Sequence, residues 1–139
     1  MKRFVLFVLL SFCTLVSLFA GKVYAGQEGY VCTIAKRHSI ENDGTLDSAV
    51  RTPIVKKILE SEFTVDRQSG KIIGVYVSTG GYKTEVLDIG SKQQSFKVLA
   101  RSAFGFLHVM YLEIQEFSDE PYKPFVLIDG SVIYTGRCL

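Results

Sequence analysis

From Phe63 to the C-terminus the chain alternates apolar and polar residues with period two, and glycine-bearing turns interrupt the alternation at close intervals. Successive side chains of a strand point to opposite faces, so this pattern specifies strands with one buried face. Phe63 and Val65 share a face. Asp66-Arg67-Gln68-Ser69-Gly70 reads as a hairpin connection in which Gly70 is free to take positive φ, and it leads into a strand over 71–77. Ser78-Thr79-Gly80-Gly81 marks the next turn. Strands are expected at 82–89 and 95–101, then a long one over 104–117, then a last pair at 125–128 and 132–138 joined at Asp129-Gly130.

Upstream, residues 29–35 read as a first strand with Tyr30, Cys32 and Ile34 on one face, and 38–44 breaks the pattern at the turn signal Asn42-Asp43-Gly44. Thr52-Pro53 supplies an N-cap followed by proline at the first helical position, and Ile54, Ile58 and Leu59 repeat at helical spacing, predicting a short helix over 53–61. The fold class is therefore all-β or mainly β: about eight antiparallel strands forming a small barrel or sandwich with one short helix. A barrel-like closure is the favoured form, because a single helix would leave much of an open sheet uncovered.

The N-terminus has the organisation of an export signal. Lys2 and Arg3 precede an apolar run from Phe4 to Ala20, and Val23-Tyr24-Ala25 offers a cleavage site before Gly26. Residues 1–25 are read as a cleaved signal peptide and 26–139 as a single β domain, exported to the periplasm or secreted, with no stable membrane anchor after cleavage. Lys2, Arg3 and Lys22 leave with the signal and no acid does, so 16 basic residues fall to 13 against 14 acidic ones, a net charge of −1. A near-neutral chain with no clustered basic stripe carries no electrostatic footprint for nucleic acid.

Cys32 and Cys138 remain after cleavage. In an oxidising compartment thiols pair, and both cysteines fall on apolar faces of their strands, with Tyr30 and Ile34 and with Val132 and Tyr134. The expectation is a disulfide between neighbouring terminal strands. There is no Cys-x-x-Cys, and two thiolates do not complete a tetrahedral metal site.

The two histidines are the general-base candidates. His108 falls in step with Phe104, Phe106, Met110, Leu112 and Ile114, which predicts a histidine on an apolar strand face, lining the core or a pocket. His38 lies near Glu41 and Asp43 in a segment read as a loop, at a spacing that matches no metal-ligand motif. The sequence has no Gly-x-Ser-x-Gly elbow, no His-Glu-x-x-His and no dinucleotide fingerprint, so no catalytic residue, metal or cofactor is assigned.

Taken with Tyr30-Val31-Cys32 and Tyr134-Thr135-Gly136-Arg137-Cys138, the central pattern Phe63-x-Val65-Asp66-Arg67-x-Ser69-Gly70 resembles small exported bacterial β-rich single-domain proteins of unknown function. The resemblance implies a fold and an exported location, and carries no functional residues across. The functional expectation is a non-enzymatic domain that binds an envelope protein or a small ligand. Alternatives are an inhibitor of a cell-wall-degrading lysozyme, and an apolar-ligand carrier with a barrel cavity lined by Phe104, Phe106, His108 and Met110. Tyr82 and Tyr111, with Tyr76 and Tyr122, are candidate recognition residues, because tyrosine offers an apolar body and a polar tip.

Overall fold

A computed structural model describes residues 28–48, 52–104 and 107–139. The expected signal, residues 1–25, and Phe106 lie outside the described residues. The chain forms β1 (Gly29–Ile40), β2 (Leu46–Asp47), α1 (Pro53–Ile58), β3 (Glu62–Asp66), β4 (Ile72–Gly74), β5 (Tyr82–Ser91), β6 (Gln94–Ser102), β7 (Val109–Ile114), β8 (Lys123–Asp129) and β9 (Val132–Cys138). The order across the sheet is β4-β3-β1-β9-β8-β7-β6-β5, every pairing is antiparallel, and β2 pairs with β1 off this path. The sheet curls into a half-barrel whose edge strands are β4 and β5.

Alternate residues of nearly every strand meet inside the curl. Tyr30, Cys32 and Ile34 face Phe63 and Val65, Phe96 and Val98, Leu112 and Ile114, and Phe125 and Leu127, all of them buried. Phe63 and Phe125 pack edge to face at 5.2 Å, and Tyr30 lies 5.1 Å from Phe96. The first and last strands are neighbours, Cys32 sits opposite Cys138, and the two form a disulfide.

Closure across the open seam uses side chains where a barrel would use a ladder. The β3–β4 turn crosses to β5 and β6: a Cβ on Gly70, whose φ is +70°, would lie 2.9 Å from Val98 and 3.2 Å from Val86. Only glycine combines that conformation with that approach. Arg67 in the same turn donates from Nε and Nη2 to the Ile89 carbonyl at 2.9 and 2.7 Å, and its Nη1 lies 3.4 Å from Glu116 Oε1. Tyr30 Oη donates to the same carboxylate oxygen, and the guanidinium stands 5.6 Å from the Tyr30 ring.

Several boundaries differ from expectation for identifiable reasons. β1 continues past residue 35 to Ile40 through a bulge: Ile34 pairs with Gly136 and Lys36 with Thr135, leaving Ala35 as the extra residue. A bulge inverts the inward-outward phase, so the alternation that identified residues 29–35 stops reporting a strand that goes on. Arg37, beyond the bulge, pairs with buried Tyr134 on the inner side. The expected long strand over 104–117 is shorter, running from Val109 to Ile114. The strand expected over 71–77 stops at Gly74, because Thr79 folds back, its N–H donating to Ile72 O at 3.0 Å and its Oγ1 accepting from Ile72 N–H at 2.9 Å. α1 begins where expected: Thr52 Oγ1 accepts from Val55 N–H at 3.4 Å, Pro53 is the first helical residue, and Ile58 is the helix's buried anchor.

Candidate functional site

His108, Tyr82 and Phe104 come together at one rim of the half-barrel, where the ends of β5, β6, β7 and β8 converge. β7 starts at Val109, so His108 precedes the strand, and its carbonyl accepts from Ser102 N–H at 2.9 Å. That bond holds His108 against the end of β6. Asp129, the last residue of β8, pairs with Met110, and stepping two residues back along β7 reaches His108 on the same face. The result is a close polar pair, with His108 Nε2 2.5 Å from Asp129 Oδ1 and the side chains 34% and 27% exposed.

Tyr82, the first residue of β5, meets the His108 ring edge to face at 6.0 Å. Phe104 lies across Gly81, where an added Cβ would stand 2.5 Å from its ring, and the outer part of that ring is exposed. Leu107 is 88% exposed. Across the rim, burial pushes the Tyr134 phenol up; Arg37 opposes that shift and the Asp129 charge adds to it.

The carboxylate fixes the imidazole by one nitrogen. Among the described residues Nδ1 has no recorded partner, so it is available to exchange a hydrogen bond with a bound group. The Ser102 hydroxyl, in the same loop, engages the backbone N–H and carbonyl of Phe104, each at 3.2 Å. The pair is thus a polar anchor beside exposed apolar surface, and Ser102 is turned to the Phe104 backbone.

The remaining residues singled out in the sequence are dispersed. Met110 is buried in the core while Phe104 is outside it, so these two do not line one face. Tyr111 lies on the outer face of the sheet; it donates to Glu113 Oε2 at 2.8 Å, and burial together with that bond pushes its phenol up to about 12. Tyr122 lies under the Arg137 guanidinium at 5.0 Å, and Tyr76 sits in the irregular segment after β4. The Asp43 carboxylate accepts from Thr45 N–H and Oγ1 at 2.9 and 2.7 Å, which holds it below the usual carboxylate range and accounts for the acidic loop near His38 as turn chemistry.

Asp129 is masked in the sequence by its place in Asp129-Gly130, which reads as a turn. The signal was present: Asp129 is in phase with inward Phe125 and Leu127, and an acid at the end of an inward row calls for a partner. Comparison with protein-family models, with curated proteins and with solved structures found no match, so the site is defined by its own geometry.

Proposed function

We propose that this chain is an exported, non-enzymatic β domain that binds an envelope protein at the His108 rim. The observation that carries the reading is the juxtaposition of exposed Phe104 and Leu107 with an oriented His108–Asp129 pair. Apolar anchors around a fixed polar group are what protein interfaces use at their centres. Filling of the curl by Phe63, Phe96, Leu112 and Leu127 favours a surface ligand over an apolar molecule carried inside. The Cys32–Cys138 disulfide is compatible with an oxidising compartment.

The test is affinity capture of the tagged protein from its own envelope fraction, run beside Leu107→Asp and His108→Gln variants. A partner held by the wild type and lost at least tenfold by both variants supports the rim. Equal capture by all three proteins rejects it.

A further inference from the structure

Two concavities of the surface meet at the β1 bulge. One, of about 320 Å³, is lined by residues that include Lys36, Arg37, His38, Val55 and Leu59. The other, of about 520 Å³, is lined by Lys36, Gln115, Pro124, Val126, Thr135 and Arg137 among others. Ala35 and Lys36 line both, and the larger is a trough across the outer face of β1, β9 and β8. Among the described residues its charged lining is Lys36 and Arg137, with no aspartate or glutamate.

That sign is not a consequence of overall charge, since the chain holds 14 acids against 16 lysines and arginines. The bulge itself concentrates the cations: skipping Ala35 brings Lys36 opposite Thr135, two residues from Arg137 and on the same face of the adjoining strand. Tyr122 then holds the Arg137 guanidinium by stacking at 5.0 Å. Ion pairs among the described residues include Arg67–Glu116, Arg101–Glu85 and His108–Asp129, and none of these engages Lys36 or Arg137.

We infer that this trough binds an extended acidic peptide segment of a partner protein. Lys36 and Arg137 meet carboxylates, for which a guanidinium held by stacking is well suited. Beside them the trough presents Pro124 and Val126, aliphatic surface for the apolar side chains that alternate with the acids of an extended segment. Gln115 and Thr135 supply polar groups for the peptide backbone. A nucleic acid or sugar chain would use an open aromatic face for stacking, and among the described residues the aromatic lining of the trough is Phe125, whose ring is buried in the core. The inference goes beyond the rim reading, because the trough shares no residue with Phe104, Leu107, His108 or Asp129.

The probe is a capped nonapeptide of alternating aspartate and leucine, titrated into the oxidised, isotopically labelled protein and followed by NMR. Matched lysine–leucine peptide and a sulfated oligosaccharide serve as comparison ligands. The expected result is saturable shift changes centred on the amides of Lys36, Thr135 and Arg137 with the acidic peptide and none with the basic one. Affinity should fall at least tenfold in Lys36→Glu/Arg137→Glu and less than twofold in Lys83→Glu/Lys92→Glu, a charge-matched change elsewhere. Should the reversed charges prevent folding, Lys36→Gln/Arg137→Gln takes their place with an expected loss of at least fivefold. Shifts scattered over the surface, or equal loss in both pairs of variants, overturn the site. Tighter binding of the oligosaccharide at the same amides overturns the peptide assignment, and either failure leaves capture at the His108 rim unaffected.

Discussion

Arg67 and Arg101 each face a glutamate at 3.4 Å, yet their surroundings give the two pairs different weight. The Arg101–Glu85 side chains are more than half exposed, where solvent and side-chain entropy leave such a pair about 0–1 kcal/mol. Arg67 is mostly covered, caps a carbonyl on the opposite edge of the curl, and shares Glu116 with the Tyr30 hydroxyl. Removing it leaves the Ile89 carbonyl without its side-chain donors and the Glu116 carboxylate with the Tyr30 hydroxyl but no cation, a loss of about 2–3 kcal/mol. Urea unfolding of Arg67→Ala and Arg101→Ala should therefore show a clear fall in the midpoint for the first and a shift within error for the second. The same network sets an alkaline limit. Burial, then the bond and charge of Glu116, push the Tyr30 phenol well above its usual range, and Tyr134 and Tyr111 move in the same direction. A phenol raised in the folded state contributes stability that is intact below the unfolded value of about 10 and is lost as pH rises above it. The share of tyrosinate absorbance that is missing from Tyr30→Phe should consequently appear in the wild type together with loss of circular dichroism above about pH 10, and Tyr30→Phe should shift that transition to higher pH. Tyr30 ionising fully while the fold persists would contradict the burial assigned to it.

The elements show which parts of the fold were legible and why the rest was not. Strands with an unbroken two-residue period and a turn at each end, such as β6, β8 and β9, lie where alternation placed them to within two residues. α1 was legible from its cap, since Thr52 and Pro53 act through local geometry alone. β1 beyond Ile34 was hidden, because a bulge is specified by its partner strand and leaves no mark in its own sequence except a change of phase. The partner's mark is Gly136. A Cβ there would lie 2.0 Å from the Thr33 carbonyl and 2.8 Å from the Phe125 ring, so β1 and β9 can close on each other only if residue 136 has no side chain. Gly136→Ala must separate those strands or displace Phe125, at a cost of about 2–4 kcal/mol. Thr52→Ala, which removes only a cap on a six-residue helix, should cost about 1 kcal/mol. Comparing the two by chemical denaturation tests whether the β1–β9 seam or the helix governs stability. The candidate site follows the same division: His108 and Tyr82 stand out by residue type and Asp129 by its inward phase, whereas their meeting, and that of Arg37 with Tyr134, depends on registers no local pattern encodes.

At the scale of the molecule the disulfide and the Arg67 network hold different boundaries of one curled sheet. The disulfide joins β1 to β9, strands already adjacent through a ladder, across a sequence separation of 106 residues. Its contribution therefore acts mainly on the unfolded chain, where a loop of that length loses conformational freedom worth about 4–5 kcal/mol in the chain-entropy model. Cys32 and Cys138 are both fully buried, so a reductant reaches the bond only after the sheet has opened. Two outcomes follow. Under native conditions, reduction should be slow and should accelerate with urea in parallel with global unfolding; rapid reduction of folded protein would mean that the β1–β9 seam opens by itself. Once reduced, the chain should keep the same sheet, because Ile34, Phe63 and Leu127 still meet in the core, while its unfolding midpoint falls by the equivalent of about 4 kcal/mol. The Arg67→Ala loss should add to that of the reduced protein without interaction, since the turn it anchors pairs with the β5 edge and the cysteines lie on strands in the middle of the sheet. A coupled loss, larger than the sum, would instead show that closing the seam and joining the terminal strands are one cooperative step.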